Sequence, residues 1–191
     1  MKKILFAVLF SLYFLIPQLG AEDFTFDTRI GYYFTTNGML FRDTHLGYDL
    51  KTLMPNLSIR GQYYVLDGVA LTGSANNYKL GLQAVYSLKL DDNLSIAPFC
   101  GGALNNSTVQ TNTISVDGGF ELNYKLFSPV TAIIGADASF FSDSTMIDYY
   151  AGGSVPILNW LSFEAFYCGL LNMTTSVVHN AGAGSRLTAT F

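Results

Sequence analysis

Asp27 with Arg29, Asp49 with Lys51, and Asp117 with Glu121 and Lys125 recur two or four positions apart inside otherwise apolar segments of this 191-residue chain. Arg60, Lys79, Asp137, Asp148, Glu164 and Arg186 extend the set, each on the polar parity of its own segment. In extended chain a spacing of two puts side chains on one face. Every such segment therefore has a charged face and a charge-free one. The chemistry this implies is electrostatic: acids and bases gathered on one enclosed surface must pair, because an unpaired charge there is costly. With Asp23 and Lys89 included, the set holds eight acids and seven bases. That near-balance points to cross-lumen ion pairs; a selective pore would show an excess of one sign. Gly31, Gly47, Gly81, Gly101, Gly119, Gly135, Gly152, Gly182 and Gly184 share the charged face and argue the other way, since they leave space for water.

Other reactive groups are few. The chain has two histidines and two cysteines, so no metal-ligand cluster of useful spacing arises. His45 reads as a polar lining residue and not as a base. Cys100 falls on the apolar parity and Cys168 on the polar one, which leaves no disulfide expected. No catalytic, cofactor-binding or metal-binding residue is assigned, and the chain is expected to be non-enzymatic. A formal charge of −4 with no basic patch argues against nucleic acid as a partner.

The elements that must hold these charges are strands, predicted over 24–34, 44–54, 57–66, 77–89, 93–104, 112–126, 129–141, 146–157, 160–172 and 181–191. Their apolar faces, such as Leu46, Tyr48 and Leu50 or Ile114, Val116, Phe120, Leu122 and Tyr124, carry no charge. Tight turns at Met54-Pro55-Asn56, Leu90 to Asn93, Phe127-Ser128-Pro129 and Leu158-Asn159-Trp160 alternate with longer loops at 35–43, 67–76, 105–111, 142–145 and 172–180. That alternation predicts an all-β, antiparallel up-and-down transmembrane β-barrel of ten strands, with both termini periplasmic. Eight strands is the alternative, should the Pro98-bearing segment and the Gly-rich 146–157 both fail. A secreted soluble β-barrel binding a ligand would show the same alternation with the apolar face turned inward. Against it stand a charged fraction of only 13% and aromatics at strand ends. Phe24, Phe34, Tyr63, Tyr78, Tyr149, Trp160 and Phe163 would form interfacial girdles.

The two ends of the chain carry addressing signals. Residues 1–21 read as a signal peptide, with Lys2 and Lys3 before the apolar run Ile4 to Pro17 and Ala21 before the acidic mature start. The barrel domain is then 22–191. At the other end, Leu187, Ala189 and Phe191 alternate on one parity and close the chain on an aromatic. This resembles the C-terminal strand of Gram-negative outer-membrane barrel proteins, in which the terminal aromatic is the recognition signal for the barrel-assembly machinery. In architecture the mature chain is similar to small barrels of the OmpX, OmpA and OmpW type. The resemblance implies the bacterial outer membrane as location, with its lipid and the assembly machinery as partners. His179-Asn180-Ala181-Gly182 is similar to the His-x-Ser-Asn-Ala stretch of outer-membrane lipid A deacylases, but Ser is missing and no Glu follows, so that chemistry does not carry over. The loops are also too short for the cleft of omptin proteases.

The function expected is a non-enzymatic barrel with a polar, ion-paired lumen, either structural or a narrow, gated passage for small solutes. A surface adhesin is the alternative, acting through external loops that include Met39, Leu40, Phe41, Val69, Ala70 and Leu71.

Overall fold

The computed structural model describes residues 24–34, 38–51, 53–68, 76–106, 113–173 and 177–191. The signal-peptide segment, Asp23 and the apolar trio Val69, Ala70 and Leu71 lie outside the described residues. The strands are β1 (Phe24–Tyr33), β2 (Met39–Asp49), β3 (Leu57–Gly68), β4 (Asn76–Tyr86), β5 (Leu88–Lys89), β6 (Leu94–Asn106), β7 (Thr113–Phe127), β8 (Val130–Phe140), β9 (Thr145–Leu158), β10 (Leu161–Met173) and β11 (Val177–Thr190). Each pairs antiparallel with its neighbours, and β5 continues β4 along the same partner, β6. β1 meets β11, with Phe26 opposite Ala189 and Arg29 opposite Arg186. The result is a closed ten-stranded antiparallel barrel with no open edge.

Pro98 explains the gap in the β4–β6 ladder. The β4–β6 register runs to Val85 opposite Phe99 and resumes, unshifted, at Leu88 opposite Ile96. The gap falls opposite the proline, which has no N–H to donate. The strand survives because its other edge pairs continuously with β7, from Leu94 opposite Tyr124 to Asn105 opposite Thr113. The Gly-rich β9 is likewise a full member, paired with both β8 and β10.

The short connections gather at the end that holds Phe24 and Phe191. There the Asp91 carboxylate accepts hydrogen bonds from the Asn93 and Leu94 amides at 2.6 and 2.7 Å, closing the turn into β6. Asn56 takes a left-handed conformation (φ 68°) in the turn into β3. At the opposite end Gly38 (φ 60°) opens β2, with the Tyr32 hydroxyl packed where a side chain would project.

β2 corrects the expected bounds most. It begins at Met39, not 44, and ends at Asp49, so the strand sits five residues earlier than expected. Met39, Leu40 and Phe41 belong to a strand instead of a loop, and Phe41 is buried. The reason is that the alternation of His45 continues back through Asp43 to Phe41. It was broken in sequence by Arg42, a charge on the otherwise apolar parity. Arg42 is exposed near the far end of β2, where a long cationic side chain can reach an interface while its stem stays on apolar surface.

The apolar parity faces outward. Leu82, Ile114 and Val116 are 63%, 72% and 64% exposed, and Ile30, Leu80, Leu104, Ile134, Phe140 and Tyr167 join them. The charged parity faces in, where Asp27, Arg29, Asp117, Glu164 and Arg186 are buried. A water-soluble barrel has the opposite polarity. An apolar surface running around the whole barrel far exceeds the patches that soluble monomers expose.

Candidate functional site

The lumen is the one place where every strand contributes polar side chains to a common space, and it is filled across its middle. Three networks of named side chains do this. In the first, Arg29 bonds Asp43, Gln62 donates to Asp43 at 3.1 Å, and Gln83 donates to Gln62 at 3.2 Å. His45 sits between two acids, its Nδ1 2.9 Å from Asp27 and its Nε2 3.3 Å from Asp43. In the second, Lys79 lies 3.0 Å from Asp117 and 3.3 Å from Asp137 and donates to Ser139 at 2.9 Å. In the third, Arg186 bridges Glu121 and Glu164, both at 2.6 Å, and the Tyr150 hydroxyl donates to Glu121 at 2.5 Å. Pairs this well enclosed are costly to break singly, since the survivor is left charged without a partner.

Aromatic rings complete the closure. Tyr33, Phe41, Tyr150 and Phe166 form a buried cluster with Ile133, Cys168 and Leu170. Tyr33 and Phe41 lie 4.9 Å apart, Tyr150 and Phe166 5.8 Å, and Phe41 and Phe166 6.4 Å between ring centroids. The guanidinium carbon of Arg29 stands 4.7 Å from the Tyr150 ring centre and that of Arg60 4.5 Å from Phe99, distances at which a cation is attracted by the ring face. Arg60 also donates to Gln83 at 2.8 Å.

Most of the lumenal glycines serve this closure, which corrects the expectation that they leave room for water; Gly47, which lines the terminal-end cup, keeps to that expectation. A side chain at Gly31 would collide with the Phe41 ring, at Gly135 with Tyr150, at Gly184 with Phe166 and at Gly119 with Phe99. Gly101, Gly152 and Gly182 instead lie against backbone of the adjacent strand.

Among the described residues a cavity opens at each end. The terminal-end cup, about 750 Å³, is lined by Asp27, Asp49, Arg60, Glu121, Lys125, Glu164 and Arg186 among many hydroxyl side chains. The far-end cup, about 510 Å³, is lined by Met39, Leu66, Met146 and Leu170 above Lys79, Asp137 and Asp148. No residue lines both, and Arg29, Phe41, Asp43, His45, Gln83, Asp117, Tyr150 and Phe166 line neither. These side chains make a waist between the cups.

Of the charges read from sequence, the structure brings Asp27, Arg29, Lys79, Asp117, Glu121, Asp137, Glu164 and Arg186 into the lumenal networks. Asp148 accepts from the Tyr33 hydroxyl at 3.2 Å. Asp49, Lys51 and Lys125 stand apart from the waist. Lys51 lies past the end of β2, 3.9 Å from Asp49 with both side chains solvent-accessible, and Lys125 is exposed at the terminal-end cup. Sequence reasoning missed Asp43, fully buried at the centre of the first network. The signal was present in Asp43-Thr44-His45, an acid and an imidazole on one strand face, but a loop over 35–43 takes Asp43 off that face. It also missed Tyr33, Phe41, Tyr150 and Phe166, whose signal was parity: each sits on the charged face.

The remaining assigned positions lie on the outer wall. Phe34, Tyr78, Trp160 and Phe163 are exposed near strand ends, Phe24 is part-buried 4.9 Å from Tyr48, and Tyr149 stacks on His179. Tyr63 is the exception among the expected girdle. It lies in the middle of β3, opposite Thr44 and Leu80, because β3 extends to Gly68. Leu187 and Phe191 face outward, Phe191 stacked 6.1 Å from Trp160 with its amide bonded to the Phe24 carbonyl, while Ala189 is covered by its neighbours. Cys100 is exposed on the outer wall and Cys168 buried in the lumen; both are free.

No protein-family model matches the chain, and no curated protein matches it. Solved structures do. The fold is similar to an outer membrane channel from Pseudomonas putida F1, with 10% identity and a TM-score of 0.54 over 89% of this chain and 96% of that one. It is similar to the outer membrane protease OmpT from Escherichia coli, with 9% identity and a TM-score of 0.50 over 89% and 94%. A bacterial polysaccharide outer membrane secretin aligns with 10% identity and a TM-score of 0.52 over 88% of this chain, which spans 65% of the secretin's length. At such identities the likeness is one of fold: the chain has the architecture of outer-membrane β-barrels, and no specific family is identified.

Proposed function

We propose that the chain is a bacterial outer-membrane barrel, non-enzymatic, whose lumen is closed at rest by its own wall side chains and which acts as a structural barrel or a gated passage for small solutes. The observation that carries this is the waist: two end cavities with no lining residue in common, separated by ion pairs and packed rings. The ring of outward apolar side chains supports lipid as the surrounding solvent. In the membrane both termini face the periplasm, and the Leu187, Ala189 and Phe191 strand end is read by the barrel-assembly machinery.

The two imidazoles support a non-catalytic reading. His45 is enclosed between Asp27 and Asp43 and lines neither cup. His179 is bonded to the Tyr149 hydroxyl on the outer wall. Neither stands beside a nucleophile in a cavity that a substrate enters.

Planar-bilayer conductance of the refolded mature chain, with folding confirmed by its heat-dependent gel shift, tests the closure. The native chain is expected to insert and stay silent, and Phe41→Ala with Phe166→Ala to produce unitary steps. Steady conductance from the native chain would replace this reading with an open pore. A chain released from membranes by a carbonate wash would instead be the soluble barrel.

A further inference from the structure

Asp137 and Asp148 stand directly opposite each other on β8 and β9, on the lumenal face. Like charges in that position repel, so their juxtaposition needs a compensating cation. Lys79 contacts Asp137 through Oδ2 but is shared with Asp117, which it approaches more closely. The other Asp137 oxygen, Oδ1, is buried and accepts no hydrogen bond. Asn172 Oδ1, on the next strand, β10, is also buried and without a donor. Asp137, Asp148 and Asn172 all line the far-end cup. Asp143 joins them, so among the described residues three carboxylates line that cup against a single cation, Lys79.

One wall of that cup is apolar, beside polar neighbours that include Gln62, Tyr64, Asn105 and Ser139. Met39, Leu66, Met146 and Leu170 line it, with Phe141 beside Ser144 at the rim. Its volume of about 510 Å³ is within the range of sites that enclose small organic ligands. A bare metal ion would find carboxylates but no use for these walls, and among the described residues no group of three or more His, Cys, Asp or Glu is arranged to hold one. We infer that the far-end cup is a binding site for a small organic ammonium, its charged nitrogen held by Asp148, Asp137 and Asn172 and its apolar body by the methionine and leucine walls. An ammonium adds a second cation to a cup whose carboxylates share one lysine, and it brings donors for the acceptors that Asp137 and Asn172 leave unmet. The two methionines suit bodies of varied shape. Occupancy requires neither an open waist nor a lipid bilayer, so it stands or falls separately from the conductance result.

Calorimetric titration of the folded chain in detergent, with phenethylammonium as probe, tests this. Saturable binding is expected, with 2-phenylethanol, phenylacetate and methylammonium each much weaker. Asp148→Asn should weaken phenethylammonium roughly tenfold, the scale of one charge-assisted contact. Removing a like charge also spares the fold, which the gel shift confirms. Lys125→Ala, in the other cup, should leave binding unchanged. Absence of saturable binding, equal binding of phenylacetate, or full affinity in Asp148→Asn would each overturn the assignment. Equal binding of methylammonium would remove the apolar body from it.

Discussion

Arg186 and Lys89 each hold a carboxylate at nearly the same distance, 2.6 Å to Glu164 and 2.7 Å to Asp92. Their surroundings differ entirely. The Arg186 pair, deep in the terminal-end cup and joined to the waist through Glu121 and Tyr150, has side chains 9% and 3% exposed, and the Lys89 pair at the rim 68% and 95%. Solvent screens the second far more than the first, so only the first acts as a structural joint. The charge pattern of the strands is uniform but its consequences are not. The same alternation yields a closed, costly-to-disturb waist and two open cups whose rim charges are dispensable.

The comparison can be broken at its strongest point first. Arg186→Ala leaves Glu121 and Glu164 without their shared cation and is expected to lower unfolding free energy by about 3–5 kcal/mol. Urea titration of the refolded barrel in vesicles, read by the single tryptophan, Trp160, measures it. A loss no larger than that of a rim pair would end the distinction between buried joint and rim. On the outer wall, Leu82→Lys places a charge where the surface meets lipid and should cost about 2–4 kcal/mol in the same titration. An unchanged midpoint there would contradict a membrane-facing wall.

Gly135→Ala sharpens the account of the plug. Its new methyl group meets the Tyr150 ring, and overpacking of this kind costs about 1–3 kcal/mol. Pairing it with Tyr150→Ala should return most of that loss if ring seating is the glycine's role. The smallest effect belongs to Lys89→Ala, for which no shift of the urea midpoint is expected, because an exposed pair adds little.

Much of this was legible in sequence because strand alternation is a local property. Period 2 needs only neighbouring residues to be read, and it placed ten strands, their two faces and the short turns at the terminal end. It faltered where a local exception interrupted it: Arg42 on the apolar parity hid the start of β2 and, with it, Asp43. The girdle position of Tyr63 failed for a related reason, since the far-end extension of β3 moved a presumed strand end to mid-strand.

What the sequence by itself determined was therefore a wall: ten amphipathic strands, one face charged and one apolar, and a composition too poor in charge for water. What only the tertiary structure decided was what fills the space that the wall encloses. Arg186 meets Glu121 from 65 positions away in the chain, and Lys79 meets Asp137 from 58. Such partners are selected by how a closed barrel brings distant strands across its lumen, and no spacing along the chain encodes that. The glycines show the same limit. Whether a missing side chain is a space for water or a seat for a ring depends on the neighbouring strand, and here Phe41, Tyr150 and Phe166 occupy the seats.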